Sequence, residues 1–249
     1  MKGLAKLQDA RILDLQAKLF IVHKNVNLEN HQESIDKKRK MEHYQLHSNF
    51  LYEKEANALL DFLKTEIPWT QVKYFKPERG YVIVPRLSWV AGFHEEAHYP
   101  INDITPNSIP KFLSPLKTLV EEQLHTKFNF LLFSKYRDQN DSISYHSDNE
   151  RFLENQPTIA SITLGASRPF VLKHKQSKKV TTLNPSHGDL LVMNNNCQKD
   201  FFHAVPKQKT IVDTRYSITF KNVTNEAGSK NYYKFNLGKT KKMKFIKED

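Results

Sequence analysis

The sequence is short of cysteine, glycine and long apolar runs, and each shortage narrows what it can encode. Its single cysteine, Cys197, cannot form an internal disulfide. That sets aside the cross-linked frameworks of small secreted domains and fits a reducing compartment. Near the N-terminus the longest uninterrupted apolar run is Leu19–Val22, too short for a signal-peptide core or a membrane span. Asp9 and Asp14 argue against an organelle transit peptide. The expectation is a soluble protein of the nucleus or cytoplasm with no membrane partner. Only seven glycines are present, so Asn, Asp, Ser and Pro must form most of the turns. No internal repeat or low-complexity tract stands out.

What is present suffices for one core: 39% of the 249 residues are hydrophobic and 11% aromatic. The net charge of +11 points to a polyanionic partner, and its distribution is uneven. Residues 1–40 hold nine basic and five acidic side chains, and residues 224–249 hold seven and three, so each end carries +4. The segment Lys37-Lys38-Arg39-Lys40 also suits nuclear import. A solvated charge run with no receptor is the competing reading.

The chain divides into a basic arm at 1–48, a globular part at 49–223 and a basic tail at 224–249. Ala56, Leu59, Leu60 and Leu63 share one helical face within 53–65, and Phe112, Leu116, Leu119, Val120 and Leu124 do so within 111–125. Between these helices, Tyr81–Val90 reads as a strand pair or hairpin edge, with Pro85 confining it to an edge or a bulge. Residues 93–110 read as an ordered surface loop. Short strand candidates then recur at 128–134, 142–146, 158–164, 169–174, 180–183, 189–193, 201–205 and 215–221. The expected class is α+β: a β-sandwich or jelly roll with helices packed on one face.

His146-Ser147-Asp148 carries the chemistry. At a strand end, residues two apart point to the same face, so both side chains can converge on one ion. With a distant second histidine they form a set of two imidazoles and one carboxylate. Such a set leaves positions open on an octahedral ion and suits Fe(II) in oxygenases. A second match, His187-Gly188-Asp189, competes. Only 16 residues separate His187 from His203, whereas 57 separate His146 from it, enough for several strands to return His203 to the same mouth. His187 is therefore read as a turn residue before the strand Leu190–Met193. Twelve residues beyond His203, Arg215 opens RYSITFK, in which Arg215, Ser217, Thr219 and Lys221 share a face. A cation inside an apolar sandwich needs an anion, and a dicarboxylic acid such as 2-oxoglutarate provides one for a guanidinium fork.

Together these residues resemble the AlkB family of nucleic-acid dealkylating dioxygenases. The resemblance runs from about 50 to 223 through PWT (68–70), VPRLSW (84–89), FNFLLFSKYRDQNDSISYHSDNE (128–150), IASITLGASRPFVLKHK (159–175), HGDLLVM (187–193), FFHAVP (201–206) and RYSITFK (215–221). It implies a double-stranded β-helix. It also implies iron held by His146, Asp148 and His203, and 2-oxoglutarate and O2 as cosubstrates. Arg215 and Tyr136 would hold the distal carboxylate of 2-oxoglutarate. The chain departs from the family pattern where Ser134 and Ser217 replace asparagines and Lys221 replaces arginine. Those changes predict weaker 2-oxoglutarate binding.

The resemblance implies an activity on N-alkylated bases, in which the hydroxylated alkyl group leaves the base as an aldehyde. DNA repair is the leading reading. RNA demethylation and a noncatalytic nucleic-acid-binding module are the alternatives. Arg86 through Tyr99 corresponds to the family's nucleotide-recognition lid, with Trp89, Phe93, His98 and Tyr99 as stacking candidates. Asn149, where several relatives carry an acidic residue, and Glu150 follow the iron aspartate. The short turn LKHKQSKKV offers Lys173, His174, Lys175, Lys178 and Lys179 to phosphates. Its shortness favours single strands over duplex, and the chain is expected to act as a monomer.

Overall fold

The computed structural model describes residues 43–76, 80–92, 108–148, 153, 157–194, 196–223 and 243–247. Two antiparallel sheets face each other. Strands are β1 (Tyr44–His47), β2 (Thr70–Lys76), β3 (Gly80–Gly92), β4 (Phe130–Tyr136), β5 (Ile143–His146), β6 (Ile159–Gly165), β7 (Phe170–His174), β8 (Val180–Leu183), β9 (Leu190–Met193), β10 (Phe201–Val205), β11 (Arg215–Lys221) and β12 (Met243–Lys247). The larger sheet has the order β1-β9-β6-β11-β4-β3-β2-β12, and the smaller β5-β10-β7-β8. Three α-helices, α1 (Glu53–Thr65), α2 (Ser114–Leu124) and the short α3 (Cys197–Asp200), and one 3-10 turn complete the described elements.

Strand alternation sorts the side chains into two layers. On one face of the larger sheet, Ile162, Leu164, Ile218, Phe220, Leu131, Phe133, Leu190 and Val192 meet Leu59 and Leu63 of α1 and Leu116 and Val120 of α2 in one core. On the other face, Tyr136, Ile159, Leu191 and Met193 meet Phe170, Leu172 and Val205 of the smaller sheet in a second core. The site lies in that second layer. A sheet covered on both faces explains why β6 and β9 are buried along almost their whole length.

The helical spacing at 53–65 and 111–125 matches α1 and α2, the second preceded by a 3-10 turn at Lys111–Leu113. Glu55 accepts the Tyr52 backbone N–H at 3.1 Å and closes the start of α1. His125 ends α2 in the left-handed conformation, φ 49°. Pro85 sits where the β2–β3 register shifts between Gln71/Leu87 and Lys73/Ile83, the bulge its missing N–H requires. Gly165 (φ +78°) ends β6 where a Cβ would lie 2.6 Å from the Thr214 carbonyl oxygen, so only glycine fits without a shift.

Two strands lie outside the span 49–223 expected for the globular part. β1 pairs along β9 and β12 along β2. β1 is a four-residue edge strand of half-buried residues, too short and too weakly alternating to show in a periodicity. The basic cluster at 37–40, the loop at 93–107 with Phe93, His98 and Tyr99, and Asn149 and Glu150 lie outside the described residues. Among the described residues, no helix is long and apolar enough to cross a membrane.

Candidate metal and cosubstrate site

His146 ends β5 and faces His203 of β10 in direct register. Asp148 follows two residues later. A ligand atom from each lies within 4.8 Å of the others. His146 Nε2 is 3.6 Å from Asp148 Oδ1, and His203 Nε2 is 3.9 Å from Asp148 Oδ2. His146 Nδ1 lies 2.8 Å from the Ser144 carbonyl oxygen. As the donor to that oxygen, Nδ1 carries the proton, and Nε2 keeps its lone pair for a metal. Gln198 Oε1 accepts the Asp148 backbone N–H at 2.8 Å and fixes the loop. Phe170 stacks on the His203 ring at 5.3 Å.

The electrostatics suit a divalent cation. Burial pushes His203 down to about 4, against the opposing pull of Asp148, so its imidazole is neutral at physiological pH. Burial alone would raise Asp148, but Lys221, His203 and His146 together hold it well below the ordinary carboxylate range. Lys221 Nζ lies 3.2 Å from Asp148 Oδ1, with the lysine side chain fully buried. The donor set thus joins two imidazoles, that of His203 held neutral by burial, to an ionised carboxylate, which fits Fe(II).

The other end of the site lies along β11. Arg215, buried, donates through Nη2 to Thr163 Oγ1 at 2.9 Å, and its guanidinium sits 5.4 Å from the Tyr136 ring centre. Its Nε has no partner, and among the described residues no carboxylate pairs with it. Burial lowers its pKa. Such a cation calls for an anionic ligand. Ser134 and Ser217 face each other across β4 and β11, one pair along from Tyr136 and Arg215. With Ser161, Thr219, Met193 and the triad they line a single cleft open to solvent. Lys221 stands at the opposite end of β11, on the Asp148 carboxylate rather than beside Arg215.

The competing motif is a turn. Asp189 accepts backbone N–H groups of Asn49 and Ser186, both at 2.8 Å, and His187 Nδ1 accepts that of Gly165 at 3.0 Å. Of the substrate candidates, Arg86 lines the cleft. Trp89 does not: its ring packs on Phe133 at 5.1 Å within the helix-side core. Trp89 lies three residues from Arg86 and on the opposite face of β3, which removes it as a base platform. Lys173 lies over the Tyr145 ring, and Lys175 donates to the Gln198 carbonyl at 2.7 Å.

Sequence reasoning missed Gln198, Thr163 and Ser161, whose roles depend on strands brought together from far along the chain. It also missed Arg168. Fully buried, that residue donates to the carbonyls of Asp138, Asp141 and Pro206 and ties the loops at the site's edge together.

A family model, described as the 2OG-Fe(II) oxygenase superfamily, matches residues 43–221. The chain belongs to the 2OG-Fe(II) oxygenase superfamily. The superfamily's name gives Fe(II) and 2-oxoglutarate as its cofactor and cosubstrate. Among similar proteins of this superfamily, alpha-ketoglutarate-dependent dioxygenase alkB homolog 3 of Mus musculus is 33% identical over 190 residues, covering 72% of this chain and 65% of that protein. The chain thus spans just under two thirds of that relative's length. DNA oxidative demethylase ALKBH2 of Bos taurus is 36% identical over 104 residues, 39% of this chain and 37% of that protein. A solved prolyl hydroxylase from Trichoplax adhaerens, in complex with a hypoxia inducible factor peptide, shares the fold. Its TM-score is 0.53 at 13% identity, covering 82% of this chain and 97% of that one.

Proposed function

We propose that this protein is an Fe(II)- and 2-oxoglutarate-dependent dioxygenase that removes alkyl groups from ring nitrogens of nucleic-acid bases, with alkylated DNA as its principal substrate. The observation that carries the enzymatic reading is the pairing, in one cleft, of the His146–Asp148–His203 cluster with the buried Arg215 that lacks a carboxylate partner. His146 Nε2, His203 and Asp148 would hold the iron. Arg215, oriented by Thr163 and Tyr136, would grip the distal carboxylate of 2-oxoglutarate. Ser134 and Ser217 would offer hydroxyls alongside it. Lys221 holds the Asp148 carboxylate in place from outside the cleft. When bound, iron and 2-oxoglutarate supply the oxidising power to insert oxygen into a C–H bond of the alkyl group, which then leaves as an aldehyde.

The relatives' names and the charge of +11 support a nucleic-acid substrate. Arg86, at the cleft, and Lys173 and Lys175, beside the outward rings of Tyr145 and Phe202 on the smaller sheet, would contact it. The short β7–β8 turn favours single strands, and the protein would act as a monomer in the nucleus or cytoplasm. Formaldehyde release from 1-methyladenine and 3-methylcytosine oligonucleotides tests the proposal, with DNA and RNA strands compared. Release dependent on 2-oxoglutarate, and greater on DNA, is expected. Greater release on RNA would reassign the substrate, and none on either would leave a binding module.

A further inference from the structure

The smaller sheet has a second, solvent-facing side, and its composition is unusual for a surface. Tyr145 immediately precedes His146 and Phe202 immediately precedes His203. Alternation therefore turns these two rings outward while the histidines turn in. Tyr145 is 45% exposed and Phe202 38%. Phe202 lies in register with Lys173 of β7, and Lys173 with the exposed Val180 of β8. Across β5 and β10, Tyr145 and Phe202 are diagonal neighbours, roughly 7–8 Å apart. An ammonium stands over each ring: Lys173 Nζ is 5.7 Å from the Tyr145 centroid, and Lys175 Nζ is 4.8 Å from that of Phe202. The turn beyond them exposes Lys178 and Lys179. The acid beside it, Asp200, is already paired with His43 at 2.9 Å.

We infer that Tyr145 and Phe202, with Lys173 and Lys175, form a stacking platform for single-stranded nucleic acid flanking the base in the cleft. The inference rests on the nucleic-acid reading of the same site and deepens it. Exposed aromatic rings interleaved with lysines match a strand that offers base faces and phosphates in alternation. An exposed cation–π contact is weaker than base stacking. An arriving base therefore displaces Lys173 from the Tyr145 ring, and the freed ammonium reaches the adjacent phosphate. Lys175 is held by the backbone carbonyl of Gln198, the glutamine whose side chain fixes the Asp148 loop. The platform and the metal cluster are consequently built on opposite sides of the same two strands.

The test is fluorescence anisotropy of a labelled single-stranded oligothymidylate with the full chain, metal-free so that binding alone is read. Tyr145→Ala and Phe202→Ala should each weaken binding by roughly fivefold or more. The ring-preserving pair Tyr145→Phe and Phe202→Tyr should bind as the parent does, which separates loss of stacking from loss of folding. Lys173→Gln with Lys175→Gln should flatten the log–log salt slope by roughly 1.4, two contacts at about 0.7 each. His146→Ala should keep the affinity while losing turnover, so failure of the catalytic reading and failure of the platform give different results. Unchanged affinity in the double alanine variant, in a folded protein, would overturn the platform. So would equal competition by polyglutamate, which would make the partner an acidic peptide.

Discussion

Replacing Arg215 with methionine separates a ligand-binding cation from a structural one. The guanidinium is buried, has one hydrogen bond to Thr163 and an unpartnered Nε, and pairs with no carboxylate among the described residues. Methionine keeps much of the volume and removes the charge. Truncating one member of a buried charge pair costs about 2–5 kcal/mol, so 2-oxoglutarate affinity should fall by roughly 30- to 5000-fold. Thermal unfolding with Mn(II) in place of Fe(II) reads this without turnover. At a ligand concentration of about 100 times Kd, the parent gains about 2.7 kcal/mol. For a protein of this size that corresponds to roughly 5–10 °C in Tm. At the same concentration Arg215→Met should gain at most about 0.9 kcal/mol, roughly 2–3 °C. Without ligand it should melt at or above the parent temperature, because a buried and unpaired charge has been removed. An equal rise with 2-oxoglutarate in both proteins would refute the assignment. So would a ligand-free Tm many degrees lower in the variant, since Arg215 would then be structural.

Lys221→Met leaves the buried Asp148 carboxylate without its ammonium, so the metal-free protein should lose about 3–5 kcal/mol. A divalent ion replaces the missing charge, so Mn(II) should raise the Tm of this variant more than that of the parent. Acidification should destabilise the metal-free protein between about pH 6.5 and 4. The folded state holds His203 neutral down to about 4, while the unfolded chain takes up its proton near 6.5. The unfolded state therefore binds more protons across that window. The integrated loss for this residue is up to roughly 3 kcal/mol, read as Tm against pH, and His203→Asn should flatten that dependence. Cys197 is buried, and burial, with Asp148 and Asp200 nearby, pushes its thiol up to about 12. It should react with a disulfide reagent only on unfolding, and fast labelling of the native protein would contradict its placement.

The parts of this fold that the sequence revealed are those where burial imposes a period. The helix faces at 53–65 and 111–125 each pack one side on the larger sheet, and their spacing shows it. RYSITFK alternates because one side of β11 meets helices and the other meets the cleft, so Arg215, Ser217 and Lys221 could be grouped in advance. Trp89 was misjudged because a lid-like stretch was read by composition, whereas β3 continues to Gly92 and parity buries the ring. β1 was missed because four half-buried edge residues carry no period. Gln198, Thr163 and Arg168 could not be foreseen. Their partners come from strands and loops distant in sequence, and no local pattern records a hydrogen bond made by the tertiary fold.

The two His-x-Asp motifs give the most direct test of where the metal binds. Titration of the metal-free protein with Mn(II), followed by calorimetry, should show one ion per chain. His187→Ala should leave that binding intact, because His187 only receives the Gly165 N–H in a turn. His146→Ala should abolish it. Retained binding in His146→Ala, or its loss in a folded His187→Ala protein, would contradict the assignment of His146, Asp148 and His203 as the metal ligands.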